Sequence, residues 1–311
     1  MTLFLTEADI GSLLDPGAAV PVLEDCFRRL AGGRVELLPR RRFPLEGGSL
    51  AVLAAADAEL GVAGLKSYAS VGGHGDAIVC LFSAEDGGLD ALIAAERLGQ
   101  VRTGAASGVA AKHLARTGAA TLGLIGSGYQ AESQLAAIRA AVPTVERAVV
   151  WSRSGERVAA FCARAGADPA DSAQEAAACD IVVTATTSAD PVLRGEWLRE
   201  GALVCAIGAN RPGARELDNA VLERASFVCC DSLEDARLES ADLIEPVATG
   251  TLDWLEVHEL HEVVAGQLPG RQADTDIVLF KSNGIAPWDL AIAVEAVRLA
   301  RERGVGLELD L

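Results

Sequence analysis

The chain lacks a positive surplus. Its 27 Lys and Arg stand against 44 Asp and Glu, a formal net charge of −17 over 311 residues. That balance argues against nucleic acid and anionic membrane surfaces as partners, since both require a basic face. Small anions remain open, because they answer to local charge only. No apolar stretch approaches the roughly 18 residues of a membrane span. The N-terminal Met1-Thr-Leu-Phe-Leu-Thr carries no basic residue, and Glu7 and Asp9 break any apolar core, so no signal peptide is expected. The seven cysteines, at 26, 80, 162, 179, 205, 229 and 230, never fall in C-x-x-C spacing. Idle thiols in a reducing cytosol are therefore expected, and with them a cytoplasmic location. His258 and His261 stand at i, i+3, but no Cys or Asp cluster supports a metal there. Nucleophile-elbow, P-loop and metalloprotease patterns are also absent, as are internal repeats.

What remains is globular composition, 50% apolar and 23% charged, with length for about two domains. Thr6-Glu-Ala-Asp9 starts one helix, and Asp15-Pro16 suits the N-cap and N1 of a second running to about Leu30. Strand-like runs at 35–43, 49–56, 61–69, 77–82 and 89–94 follow with short turns between them. Their spacing predicts an antiparallel or mixed sheet. A long helix from Glu96 to about Leu114 leads away. Beyond Ala119 strands and helices alternate: strand 121–125, helix 130–141, strand 148–151, helix 155–165, then strands 180–184, 202–207 and 226–230. This rhythm predicts a Rossmann-type doubly wound parallel sheet, so the fold class is α/β beside an α+β domain. The stretch 232–275 reads as acidic and mostly helical, with His258 in helical surroundings. Strand 277–280 and an amphipathic helix 287–303 close the chain.

The strongest local signal is Gly126-Ser127-Gly128-Tyr129-Gln130-Ala131, a G-x-G-x-x-A directly after a strand and opening a helix. Glycines allow a tight turn and close approach to a pyrophosphate, while the helix N-terminus offers free N–H groups. An Asp or Glu about 20 residues on would favour NAD. This chain has Trp151-Ser152-Arg153-Ser154-Gly-Glu-Arg157 instead, which suits the 2′-phosphate of NADPH over NADH, because guanidinium matches phosphate in a fork. Thr186, Thr187, Ile207 and Ser282 are further candidate cofactor contacts. In the first domain, Lys66 interrupts an apolar strand and so needs a partner or a task. Arg102 sits on a helix among Gly, Ala, Ser and Thr. With an arginine from Pro39-Arg40-Arg41-Arg42, these cations resemble a clamp for a carboxylate.

Together these residues resemble the ornithine cyclodeaminase/mu-crystallin family. The pieces that carry the resemblance are Arg102-Thr-Gly-Ala-Ala-Ser-Gly, Gly126-Ser-Gly-Tyr-Gln-Ala, Ile207-Gly-Ala-Asn210-Arg-Pro-Gly-Ala-Arg-Glu-Leu-Asp218 and Phe280-Lys-Ser-Asn-Gly. The resemblance implies that Lys66 and Arg102 are catalytic, and that Arg41, with Arg40 close behind, holds the substrate carboxylate. It also implies a homodimer built through a substrate-binding domain of residues 1–115 plus 285–311, beside a nucleotide-binding domain of 116–284. Where true ornithine cyclodeaminases carry an Asp, this chain has Asn210. An amide is no general base, so Asn210 is expected to hydrogen-bond substrate, as in the family's ketimine reductases. The expected activity is NADPH-dependent reduction of a small cyclic ketimine carboxylate. Cyclodeaminase, alanine or N-alkyl amino acid dehydrogenase, and a mu-crystallin-like binder with little turnover remain as alternatives.

Overall fold

The computed structural model describes the whole chain, Met1–Leu311. Its strands are β1 (Thr2–Leu5), β2 (Val35–Leu45), β3 (Gly48–Asp57), β4 (Val62–Val71), β5 (Ala77–Ser83), β6 (Leu89–Ala94), β7 (Thr121–Ile125), β8 (Arg147–Trp151), β9 (Asp168–Pro169), β10 (Ile181–Thr184), β11 (Leu203–Ala206), β12 (Ala225–Cys230), β13 (Val257–Glu259), β14 (Ile277–Lys281) and β15 (Leu307–Leu309). The helices are α1 (Glu7–Leu13), α2 (Ala19–Ala31), α3 (Glu96–Leu114), α4 (Tyr129–Ala141), α5 (Gly155–Ala165), α6 (Ala173–Ala177), α7 (Asn219–Arg224), α8 (Leu233–Glu239), α9 (Ala241–Ala248), α10 (Leu260–Val264) and α11 (Ala286–Arg303). The chain forms two compact units, Met1–Arg102 with Ile285–Leu311, and Thr103–Gly284. The first division falls inside α3 instead of at 115, because the helix runs unbroken past Arg102.

Unit one is a seven-stranded mixed sheet, ordered β15-β1-β6-β5-β4-β3-β2. Only β1 and β6 pair in parallel. On one face alternate residues such as Leu53, Lys66, Val79 and Ile93 are buried, and α11 packs there. Gly64 permits that packing, since a Cβ on it would meet Cys80 O at 2.4 Å and Leu290 Cδ2 at 2.7 Å. The other face carries the cross-strand row Ala54, Leu65, Cys80 and Leu92, all only partly covered, and Leu38 and Phe43 stand exposed nearby.

The sequence reading of this unit needs three corrections. Helix α2 begins at Ala19, because Asp15 accepts from the N–H groups of Gly17 and Ala18 and closes a turn before the helix starts. Two short strands, β1 and the edge strand β15, pair antiparallel with each other and went unread. Helix α11 is not amphipathic at its start: all eight residues from Ala286 to Ala293 are buried, leaving no solvent face to pattern.

Unit two is an eight-stranded sheet, β13-β12-β14-β11-β10-β7-β8-β9. All its pairings are parallel. Its central strands are buried on both faces, which is why they read as unbroken apolar runs. The chain order reverses between β7 and β10, which opens a crevice at their C-terminal ends. The stretch 232–275 is less helical than expected. It holds α8, α9 and α10, but also β13, where His258 lies stacked on Phe227 with ring centroids 5.1 Å apart.

Candidate active site

Two constellations carry chemistry, one in each unit. In unit one, Lys66 sits on the buried face of β4 with 6% of its surface exposed. Its Nζ donates to Oδ1 of Asp289 at 3.0 Å, and the Arg102 guanidinium forms an ion pair with the same oxygen at 3.2 Å. Asp289, fully buried in the first turn of α11, is thus the shared counter-ion of two cations. Burial pulls the Lys66 ammonium below the usual lysine range. Attraction to Asp289 opposes that shift, while repulsion from Arg102 and Arg40 adds to it. A desolvated lysine of this kind holds its proton less tightly than a solvated one. Trp288 supports the cluster, packing edge-on against Phe27 and lying under the Arg102 guanidinium at 5.7 Å.

The arginine beside Lys66 is Arg40, which is 6% exposed, whereas Arg41 faces solvent. This corrects the preference for Arg41, and a bulge explains it. In the β2–β3 pairing Leu38 sits opposite Ala54 and Arg41 opposite Val52, so both Pro39 and Arg40 face Leu53 alone. The extra residue moves the inward position by one. Leu53 in turn pairs with Lys66, which places Arg40 in the same cross-strand row as the lysine.

In unit two, β7 is followed by Gly126 with φ +119°, an angle open to glycine alone, and α4 starts after Gly128. A Cβ on Gly126 would meet Ala185 O at 2.4 Å, while one on Gly128 would meet nothing, so the turn is tight behind and open in front. A cavity of about 420 Å³ lies there, at the strand-order reversal. Its lining includes Gly126, Ser127, Gly128, Ser152, Arg153, Ser154, Arg157, Thr186 and Thr187. The Ser127 and Ser152 hydroxyls stand 2.8 Å apart, joining the glycine turn to the end of β8. Cavity, open glycine and helix N-terminus fit a dinucleotide: the turn would hold the pyrophosphate and the Ser152–Arg157 segment the ribose end. Tyr129, Gln130, Ile207 and Ser282 lie outside this lining; Ser282 Oγ donates instead to Asp231 at 3.2 Å. Asn210 is half-buried in the loop after β11.

Sequence reasoning missed Asp289, although a lone acid in Ala286-Pro-Trp-Asp-Leu-Ala-Ile-Ala breaks an apolar run just as Lys66 does. It also missed Glu216, Asp242 and Lys281, all fully buried in unit two. Lys281 pairs with Asp242 at 3.3 Å, and Asp242 Oδ1 accepts from the N–H groups of Glu216 and Leu217.

Residues 1–303 match the ornithine cyclodeaminase/mu-crystallin family. The chain belongs to it. Among its relatives are an alanine dehydrogenase from Archaeoglobus fulgidus, 35% identical over 99% of this chain and 98% of that protein, and a Δ1-pyrroline-2-carboxylate reductase from Bacillus cereus, 36% identical over 75% and 74%. A solved Δ1-pyrroline-2-carboxylate reductase from Thermococcus litoralis, in complex with NADH and L-proline, superposes with a TM-score of 0.94 at 31% identity, covering 99% of this chain and all of that one. The protein is accordingly an oxidoreductase that works with a nicotinamide dinucleotide. None of its helices is long and apolar enough to cross a membrane.

Proposed function

We propose that the protein reduces a small cyclic ketimine carboxylate, of the Δ1-pyrroline-2-carboxylate or Δ1-piperideine-2-carboxylate type, with NADPH. The observation that carries this reading is the buried cluster of Lys66, Arg102 and Arg40, in which Asp289 pairs with the lysine and with Arg102. Arg102 and Arg40 bind the substrate carboxylate, their planar forks suiting two oxygens at once. Lys66 Nζ gives a proton to the imine nitrogen, which makes the neighbouring carbon electrophilic. Asp289 Oδ1 keeps Nζ in place between donations, and burial of all four groups excludes water. When bound, the dinucleotide supplies the hydride. Asn210 supports the reductase reading over cyclodeamination, because it offers no base. Arg153 and Arg157, exposed at the ribose end of the cavity, support NADPH over NADH.

The partly covered row Ala54, Leu65, Cys80 and Leu92 supports a homodimer joined through the sheet of unit one, since a row this apolar is rarely left to solvent. A second reading is favoured by the full-length similarity to the alanine dehydrogenase: reductive amination of pyruvate, which passes through the same kind of imine. One panel decides between them. Both ketimines, pyruvate with ammonia, and ornithine are assayed with NADPH and NADH side by side. Turnover of the ketimines with NADPH, lost in Lys66→Met, is the expected result. Proline and ammonia from ornithine without net reduction would overturn it.

A further inference from the structure

Glu216 has no part in the scheme above, yet its carboxylate accepts five hydrogen bonds in unit two. It is fully buried in the loop that follows β11. Oε1 accepts from the backbone N–H of Thr186 at 2.7 Å and from its hydroxyl at 2.8 Å. Oε2 accepts from the Thr184 hydroxyl at 2.9 Å and from the N–H groups of Gly208 and Ala209 at 2.7 and 3.2 Å. One carboxylate therefore ties the ends of β10 and β11 together.

The Thr186 peptide is also held from two sides by glycines. A Cβ on Gly126 would reach Ala185 O at 2.4 Å, and a Cβ on Gly208 would reach Thr186 N and O at 2.3 Å. Thr186 itself lines the dinucleotide cavity. Behind Glu216, Asp242 fixes its backbone N–H, and Lys281 fixes Asp242 while also donating to the carbonyl of Ala209. A buried ionic assembly is costly to build unless its geometry has a use. Its outermost product is the placement of one cavity-wall peptide.

We infer that Glu216 is a positioning residue for the dinucleotide, setting the Ala185–Thr186 wall of the cavity from below through its bonds to Thr186, Gly208 and Ala209. It touches neither substrate nor cofactor. An amide at this position keeps the shape, but its NH2 group faces backbone donors on whichever side it lies.

The test rests on cofactor binding alone, so it stands even if the ketimine is not the substrate. NADPH and NADH are titrated onto the full-length protein by nucleotide fluorescence, and thermal stability is recorded alongside. Glu216→Gln raises the dissociation constant of the dinucleotide by about tenfold. Gly208→Ala pushes the same peptide, and Glu216 Oε1 at 2.6 Å, from the other side and raises it likewise, which keeps the idea open to test if the first variant does not fold. Leu217→Ala, a buried apolar neighbour, serves as the stability control. Unchanged nucleotide affinity in either folded variant overturns the inference. So does a Leu217→Ala protein that loses as much affinity for the same loss of melting temperature, since that would make Glu216 merely structural.

Discussion

Gly99 offers a perturbation that separates chemistry from stability. It lies buried on α3 with ordinary helical backbone, and a Cβ added there would stand 2.7 Å from Lys66 Nζ with no other atom nearer than 3.9 Å. To recover ordinary contact at 3.4 Å, Nζ must withdraw by about 0.7 Å from a place where it sits 3.0 Å from Asp289. The displaced atom is the tip of a flexible side chain, so the fold has little to rearrange. Alanine in place of glycine favours a helix interior by roughly 0.8–1 kcal/mol, which offsets much of the local crowding. The melting temperature of Gly99→Ala should therefore stay within about 4 °C of the parent. Turnover should not survive as well. Misplacing a reacting group by close to 1 Å costs on the order of 100-fold, so kcat/KM for Δ1-pyrroline-2-carboxylate falls about 10- to 100-fold. The assay is loss of NADPH absorbance, with nucleotide affinity measured in parallel and expected to be unchanged. Parent-like turnover in a folded Gly99→Ala protein would refute the reasoning, for it would mean that the position of Nζ is immaterial.

Arg40→Ala should raise KM for the carboxylate substrate at least tenfold while Arg41→Ala changes it less than about twofold; equal effects would undo the bulge argument. Asp289→Asn removes the anion that holds Lys66 protonated. The alkaline limb of the kcat/KM profile, where the acid is lost as pH rises, then moves to lower pH, and a profile superimposable on the parent's would contradict the pairing. Asp180 contributes to stability by another route. Burial alone would raise its carboxyl, but N–H donors from Ala120 and Thr121, the Thr121 hydroxyl and the Arg116 guanidinium outweigh it, bringing it down from the usual 3.8 to about 2. A depressed carboxyl stabilises above its unfolded value and loses that contribution as pH falls through about 2. Chemical denaturation should show Asp180→Asn weaker by about 2 kcal/mol at neutral pH, the gap closing in strong acid.

Those parts of the fold were legible that rest on periodicity. Helix α5 and strand β7 fall on the residues expected, because a buried parallel strand and a capped amphipathic helix each leave a local pattern. The glycine turn was legible for the same reason, since strand, turn and helix are contiguous. The buried cationic cluster was legible only in part. Lys66 and Arg102 stand out as cations among apolar or small residues, but the choice between Arg40 and Arg41 depends on the bulge at Pro39-Arg40, and a proline in a strand signals an edge or a bulge without fixing the register beyond it. Asp289 lies 223 residues from Lys66, and no spacing rule links them. Glu216, likewise, was visible as one letter of a family string, while its five donors come from two earlier segments, at 184–186 and 208–209, that no spacing rule links to it.

The interrupted first unit has a temporal consequence. Helix α11, which carries Asp289 and fills the inner face of the first sheet, is synthesised only after the whole of Thr103–Gly284. The second unit is continuous and can close on itself as it emerges, whereas the first must wait with Lys66, Arg102 and Arg40 lacking the Asp289 carboxylate. The cavity at the glycine turn is thus complete before the Lys66–Asp289 pair is. Until α11 arrives, Lys66 lacks its buried counter-ion, so the two constellations are completed in sequence and not together.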